Sequence, residues 1–485
     1  MELTNWLTEI VLGVDFVIRI GLSVRIIMRR RPVGVSLAWL TVVLVFPFLG
    51  AFVYLAVGEL RLGSRRSQWV AKVHEPFQRW LEDLRRRNQV DWSVLGAECE
   101  PLARLTEATV CIPALPGNEL RLIETTNGVF NSLIDDVDAA ENTCHMEFYI
   151  WNVGGLADDV AEALLRAASR GVICRVLVDA VGSRDFLRSP LARRLREGGV
   201  HLAAALPSGL IRSLFVRFDL RLHRKIVVID GEVGYTGSQN LVDPRYFKQD
   251  SGVGQWVDAM VRVRGPAVEG LAVTFLEDWE LETQEGLDKL AKTGSIHAIG
   301  ECGDAVIQVV PSGPLLRNDA IQQILLMAIY AARRELVLTT PYFVVEEALL
   351  TALISAAGRG VAVTIVVPAK VDSLLVRLAS QAYKGDLIAA GVRVAMFHDG
   401  LLHTKSITVD GEFSLFGSLN LDPRSLFLNF EITLSVYDRA FTSQLRKLQQ
   451  SYIDRSEMMD LDEWKSRSPL QRFSENTARL LGPLL

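Results

Sequence analysis

Two stretches of the chain carry the same polar side chains at the same spacing. One reads HRKIVVIDGEVGYTGSQNLVDPR and the other HTKSITVDGEFSLFGSLNLDPR, so His223, Lys225, Asp230, Gly237, Ser238 and Asn240 match His403, Lys405, Asp410, Gly417, Ser418 and Asn420. Each copy gathers an imidazole, an ammonium, a hydroxyl and an amide. Such a set suits a phosphodiester: fixed cations and amide donors hold the non-bridging oxygens while a neutral imidazole attacks phosphorus or moves protons. A single HxK is also what a structural histidine on a strand would give. Two copies with one HxKxxxxD spacing and a matching GSxN leave little room for that reading.

Between each Lys and Asp the residues are mainly β-branched or apolar, which predicts His and Lys on one strand, two apart and on one face. Asp-Gly then marks a turn, and a returning strand brings Ser and Asn back beside His and Lys in hairpin geometry. Asp230 and Asp410 complete the spacing and are counted with the catalytic set. Each immediately precedes the glycine of the turn, however, and a structural turn role is favoured. Asp258 in QWVDAM and Glu431 in NFEITL occupy equivalent strand contexts after each GSxN. A carboxylate there could bond imidazole Nδ1 and set its tautomer, leaving Nε2 for phosphorus; the alternative is an acid on a surface strand. Arg245 and Arg424, both in a DPR triplet, are either a second phosphate site or partners of Asp243 and Asp422. No His/Cys/Asp cluster has metal-ligand spacing, so no metal is expected.

The elements that must position these groups also come in two copies, beginning near Glu119 and Asp304. Each starts with a short apolar run, followed by a helix (128–141; 320–334) and a strand (145–151; 335–343). A second helix (158–170; 346–359) ends at Gly171 or Gly360, the expected carboxyl-cap place. The runs 172–178 and 361–367 are apolar apart from Arg175 and Thr364, as in strands buried on both faces of a sheet. A third helix ends at Gly199 or Gly391. The alternation predicts an α/β fold: two tandem sandwich repeats, their sheets side by side in one bilobal catalytic body. Predicted boundaries are 1–60 for an α-helical membrane hairpin, 61–105 for a juxtamembrane linker helix, 106–285 for the first repeat and 286–485 for the second.

From Pro32 to Gly58 there is no charged residue, a run longer than the roughly 30 Å hydrocarbon core of a bilayer at ~1.5 Å per residue. The segment 6–28 is mostly apolar but carries Asp15, Arg19 and Arg25; Asp15 and Arg19 stand four apart and can pair. Arginines flank both segments, so charge bias does not decide the topology. In 485 residues, 49% are hydrophobic and the net charge is −5, with mean hydropathy +0.22 and pI near 5.9. That balance speaks against nucleic acid as the main partner. Five widely spaced cysteines without a CxxC pair suggest reduced thiols in a cytosol-facing body. The first copy is longer before its histidine, and there Leu210, Ile211, Leu214, Phe215 and Phe218 recur at helical spacing among arginines. Such a segment fits a helix lying in the headgroup layer, or one packed in the core. Trp464, Phe473, Arg479 and Leu480 near the carboxyl terminus are a second candidate for membrane contact.

HxKxxxxD followed by GSxN, twice, resembles the phospholipase D superfamily. YFKQDSGVGQWVDAM, TTPYF, GLLHTKS, LNFEITL and two amino-terminal hydrophobic helices extend the resemblance to bacterial cardiolipin synthases along nearly the whole chain. It implies a metal-independent transfer without cofactor, from one phosphatidylglycerol to another through a phosphohistidine, giving cardiolipin and glycerol. His223 would be the nucleophile and His403 the acid that protonates glycerol, or the reverse. Lys225, Lys405, Asn240 and Asn420 would grip phosphate oxygens, with Ser238 and Ser418 adding hydrogen bonds. The implied setting is the lipid bilayer of the bacterial inner membrane, multi-pass, with the catalytic body on the cytoplasmic side; a homo-oligomer is compatible with the sequence. A phospholipase D or a transferase using water or another alcohol would need the same residues. A non-catalytic scaffold binding anionic lipid would be expected to have lost one motif.

Overall fold

The apolar runs that follow each helix become strands buried on both faces, because helices cover the sheet on either side. In the computed structural model, residues 2–29, 33–46, 48–59, 80–207, 217, 219–286, 293, 296–315 and 319–480 are described. They fall into two units, residues 1–68 with 208–220, and residues 69–207 with 221–485. Outward from its middle, the sheet of the larger unit runs through Leu115–Ile123, Met260–Arg264, Val233–Gly237, Ile226–Ile229, Thr143–Phe148, Ile173–Asp179 and His201–Ala205 on one side. The other side repeats that order with Ala305–Ser312, Asn429–Tyr437, Phe413–Gly417, Ser406–Val409, Glu335–Thr339, Ala362–Pro368 and Arg393–Phe397, with Ser456–Met458 at the edge.

The two half-sheets were expected side by side; they are joined. Leu115–Ile123 pairs antiparallel with Ala305–Ser312, Leu115 opposite Ile307 and Asn118 opposite Ala305, so one hydrogen-bonded sheet spans both repeats. The Asn118 side chain secures this seam: Nδ2 donates to the Leu115 carbonyl (2.7 Å) and the Ala305 carbonyl (3.1 Å), and Oδ1 accepts from Ala267 N–H (2.8 Å). Helices Thr126–Ala139, Leu156–Ser169, Ala320–Ala331 and Glu347–Gly358 lie close to their expected places. Gly171 and Gly360 follow them at φ +93° and +86°, the left-handed cap that glycine adopts without strain.

One local expectation fails. His223 and Lys225 do not lie on a regular strand; they occupy a break between the two-residue strand Arg221–Leu222 and Ile226–Ile229. Arg221–Leu222 pairs in parallel with Asn429–Phe430 of the second repeat, whereas Ile226–Ile229 pairs with its own hairpin partner. The chain changes partner between them, and a ladder cannot continue through that change. The second copy does the same, with Leu401–Leu402 on Trp256–Val257 before Ser406–Val409.

In the smaller unit the apolar run is not one helix. Val33–Val45, Leu49–Val53 and a π-helical turn Tyr54–Gly58 divide it, following the long helix Glu2–Met28. Among the described residues no helix is long and apolar enough to cross a membrane. Asp15 and Arg19 pair as expected, at 2.6 Å. Arg25 grips Glu59 with Nε at 2.5 Å and Nη2 at 2.8 Å, and the Tyr54 hydroxyl adds a third bond to Glu59 (2.9 Å). Residues 61–79 of the juxtamembrane linker helix expected over 61–105 and nearly all of the Leu210–Phe218 segment lie outside the described residues; 80–87 is helical, and the chain is irregular over 88–91. In the carboxyl-terminal helix Pro469–Leu480, Phe473 and Leu480 are exposed. Trp464 is half-buried and packs on Gly385, and Arg479 lies over the Tyr383 ring while remaining exposed.

Asp230 and Asp410 are corrected from the catalytic set to the frame. At φ +53° and +54°, each heads its turn. Asp230 accepts from the N–H groups of Glu141 (2.9 Å), Asn142 (2.7 Å) and Thr143 (2.8 Å). Asp410 accepts likewise from Arg333 (2.7 Å), Arg334 (2.7 Å) and Glu335 (2.8 Å). Each fastens the end of a helix to the start of the next strand, at the opposite end of the hairpin from the histidine. Asp410→Ala should lower stability by about 2–3 kcal/mol, the weight of charge-assisted bonds lost from one carboxylate. Urea unfolding measures that loss, and the activity of the folded fraction at low temperature should persist.

Candidate active site

The partner change before each histidine places it beside a carboxylate of the other repeat. His223 N–H donates to the Phe430 carbonyl (2.9 Å), and its Nδ1 lies 2.8 Å from Glu431 Oε2. His403 N–H donates to the Val257 carbonyl (2.8 Å), and its Nδ1 lies 2.7 Å from Asp258 Oδ1. Sequence spacing had marked these carboxylates as imidazole partners; the crossing between repeats was not legible in it. Gly400, at φ +121°, lets the approach to His403 pass against the Gln255 carbonyl, where a Cβ would collide. Tyr149 flanks His223 (ring centroids 5.0 Å apart) and Trp256 flanks His403 (4.3 Å).

The serines sit behind the carboxylates, so they are corrected from phosphate ligands to supports. Ser418 Oγ donates to Glu431 Oε2 (2.6 Å) while accepting from Ile432 N–H (3.0 Å). Ser238 Oγ accepts from Ala259 N–H (3.1 Å) and helps hold Asp258 low. Burial by itself would raise both carboxyls. The facing imidazoles and the buried lysines outweigh it and hold Glu431 and Asp258 below the usual carboxylate range. Burial pushes both imidazoles down to about 4 against the pull of these carboxylates, so at neutral pH each Nδ1–H faces an anion and each Nε2 keeps its lone pair.

Lys225 Nζ donates to the His223 carbonyl (2.6 Å), and Lys405 Nζ donates to that of His403. Burial lowers Lys225 to about 8 and Lys405 well below its ordinary value; Asp258 and Glu431 oppose the shift in both. Each ammonium keeps two further N–H donors within this cluster.

A cavity of about 490 Å³ opens on the two histidines. Asn240 and Asn420 line it. Asn240 Oδ1 accepts from Ile150 N–H (3.1 Å), whereas its Nδ2 is buried without a partner among the described residues. Arg424 lines the cavity, but Arg245 does not: it pairs with Asp243 at 2.9 and 2.6 Å and is half exposed. Residues not singled out individually from the sequence also line it, including Tyr149, Lys248, Trp256, Tyr342 and Asp372. Several lie in the YFKQDSGVGQWVDAM and TTPYF stretches, where the signal was a motif without a chemical role for each residue. Arg224, between His and Lys in the first motif, was missed too. It is buried, donates to the Glu431 carbonyl (3.0 Å) and pairs with Asp278. Among the described residues no group of three or more His, Cys, Asp or Glu side chains could hold a metal ion.

A family model described as cardiolipin synthase, PLD-like domain, matches residues 133–279 and 325–452, one segment in each repeat. Another, described as phospholipase D-nuclease N-terminal, matches residues 17–59. The chain is 44% identical to cardiolipin synthase A of Erwinia tasmaniensis over 465 residues, 96% of each chain. It is 44% identical to that of Klebsiella pneumoniae subsp. pneumoniae over 481 residues, covering 99% of this chain and 98% of the relative. Among solved structures, phosphatidylserine synthase of Haemophilus influenzae is similar in fold, with TM-score 0.58 at 15% identity over 79% of this chain and 100% of that one. Both motifs fall within the family match, and the identity to the curated relatives runs nearly end to end: the chain belongs to the cardiolipin synthase family of phospholipase D-like proteins.

Proposed function

We propose that the chain transfers a phosphatidyl group from one phosphatidylglycerol to a second, forming cardiolipin and releasing glycerol through a phosphohistidine. The observation that carries this reading is the pair of buried imidazoles facing one cavity, each with Nδ1 committed to a carboxylate of the opposite repeat. His223 Nε2 attacks phosphorus; the P–N bond forms as the P–O bond to glycerol breaks, and His403 as imidazolium gives its proton to the departing oxygen. The negative charge of the bound phosphodiester favours protonation of that second imidazole. His403, now neutral, takes the proton of the second lipid's glycerol hydroxyl while that oxygen attacks phosphorus and His223 leaves. Lys225, Lys405 and Asn240 Nδ2 supply donors for the oxygens on which charge develops.

The lipid substrates, the uncharged run 33–58 and the family match over residues 17–59 support placing residues 1–60 in the bacterial inner membrane as a multi-pass anchor. Residues 61–105 then link it to the repeats 106–285 and 286–485. Five free cysteines suit a cytoplasmic catalytic body, and the net charge of −5 suits lipid rather than nucleic acid as partner.

Mass spectrometry of products from phosphatidylglycerol alone tests the reaction. Wild type should yield cardiolipin and glycerol, and His223→Ala and His403→Ala should each lose both. Phosphatidic acid as the main product would make water the acceptor and sink the transferase reading. Glu431→Gln should lower kcat by roughly 10²–10⁴-fold, because the imidazole tautomer is no longer set. Its pH profile carries a sign. Neutral His223 is the reactive form, so kcat/KM rises with pH through the imidazole pKa, near 4 in the empty site. Glu431 raises that pKa, so its neutralisation should move the acid limb to lower pH; an unmoved limb would mean the two groups are not coupled.

A further inference from the structure

The two copies differ by one residue where the chain leaves GSxN: the first reads NLVDPR and the second NLDPR. Leu241 and Leu421 hold equivalent bridges, to Trp151 and Phe343. Beyond them the paths diverge. Asp243, displaced by Val242, turns away to accept from Leu156 N–H (3.1 Å) and pair with Arg245. Asp422 lines the cavity instead, its Oδ1 accepting from Ser425 N–H (2.8 Å). Asp372, also from the second repeat, lines it too and accepts from the Tyr342 hydroxyl (2.8 Å) and Lys248 Nζ (2.9 Å). No carboxylate of the first repeat is among the lining residues described.

Phosphoryl transfer between two equivalent histidines does not call for this one-sided wall. Two carboxylates repel a phosphodiester, and each is held by a neighbour, Asp372 by Lys248 and Tyr342 and Asp422 by Asn420, so their free lone pairs suit the part of the headgroup beyond the phosphate. A carboxylate is acceptor-only with about four lone-pair positions, which suits either an ammonium or a pair of hydroxyls. The neighbouring cations decide between them. Lys248 already bonds Asp372, and the Arg424 guanidinium acts on Asp422. A third cation would be repelled, whereas a neutral diol is not. Burial also pushes the Asp422 carboxyl up to about 6, which further weakens its hold on a cation.

We propose that Asp422 and Asp372, with Tyr342, are specificity-determining residues that bind the vicinal hydroxyls of a glycerol headgroup. The inference rests on the transferase reading above and deepens it. The subsite serves the donor lipid, whose glycerol is joined to phosphorus through one oxygen and keeps two free hydroxyls; in the second lipid one of those hydroxyls attacks and the oxygen at the far end carries its own phosphodiester.

Wild-type protein, Asp422→Asn and Asp372→Asn would each be given phosphatidylglycerol with equal concentrations of labelled glycerol, 1-propanol and ethanolamine, and the phosphatidyl products counted by mass spectrometry. Wild type should favour glycerol over both rivals. In the variants the glycerol-to-propanol ratio should fall by roughly tenfold or more, the weight of one hydrogen bond to a charged group. Asparagine keeps the helix cap on Ser425 N–H, and if Asp422→Asn fails to fold, Asp372→Asn carries the test. An unchanged ratio in the folded variants overturns the proposal, as does preference for ethanolamine in wild type. No cardiolipin from wild type, with the alcohol ratio still falling in the variants, would sink the cardiolipin-forming reading and leave the diol subsite standing.

Discussion

The bond from each imidazole Nδ1 to a carboxylate of the opposite repeat is the constraint around which the catalytic body is arranged. At 2.7–2.8 Å between buried groups, it requires two backbones to approach that would otherwise belong to separate lobes. The approach is met by short parallel pairings just before each histidine, by the break that lets the chain return to its own hairpin, and by a single sheet running through both repeats. A relative shift of about 1 Å between the halves would lengthen both bonds at once, so the seam at Asn118 governs chemistry far from it along the chain.

Burying two imidazoles, two lysines and two carboxylates together would be costly if any charge lacked a partner. Here each carboxylate has an imidazole in front and a serine behind, and the lysines are balanced by the same two carboxylates. Arg224 adds a second layer in the first repeat. It is pinned by Asp278 and holds the Glu431 backbone carbonyl, so the first motif also orients the acid that serves its own histidine. Thr404 takes the corresponding place in the second motif and reaches the Val257 carbonyl (3.3 Å) with a neutral hydroxyl. The pseudo-symmetry of the motifs thus does not extend to what supports them.

Much of this was legible in the sequence because it is local. Helix and strand order, the glycine caps, the Asp-Gly turns and the chemical identity of the site all follow from spacing within about twenty residues. The pairing of Asp258 and Glu431 with imidazoles was legible as chemistry, but not the choice of which repeat supplies which, since that depends on contacts far apart in the chain. The same limit explains the misplaced serines: GSxN predicts hydroxyls near the histidines, but only the packed sheet shows that they face the carboxylates. Asp422 and Asp243 look alike in their DPR triplets. One inserted residue, Val242, separates a cavity wall from a surface ion pair.

The exchanged carboxylates also set when activity can arise during synthesis. His223 precedes its partner Glu431 by 208 residues, which at ~5–20 residues per second is on the order of 10–40 s of translation. Throughout that interval the first imidazole has no fixed tautomer and its site has no opposite wall. A nascent or prematurely terminated chain therefore holds an idle nucleophile, and the reactive centre comes into being only when the last strands have been made and folded back.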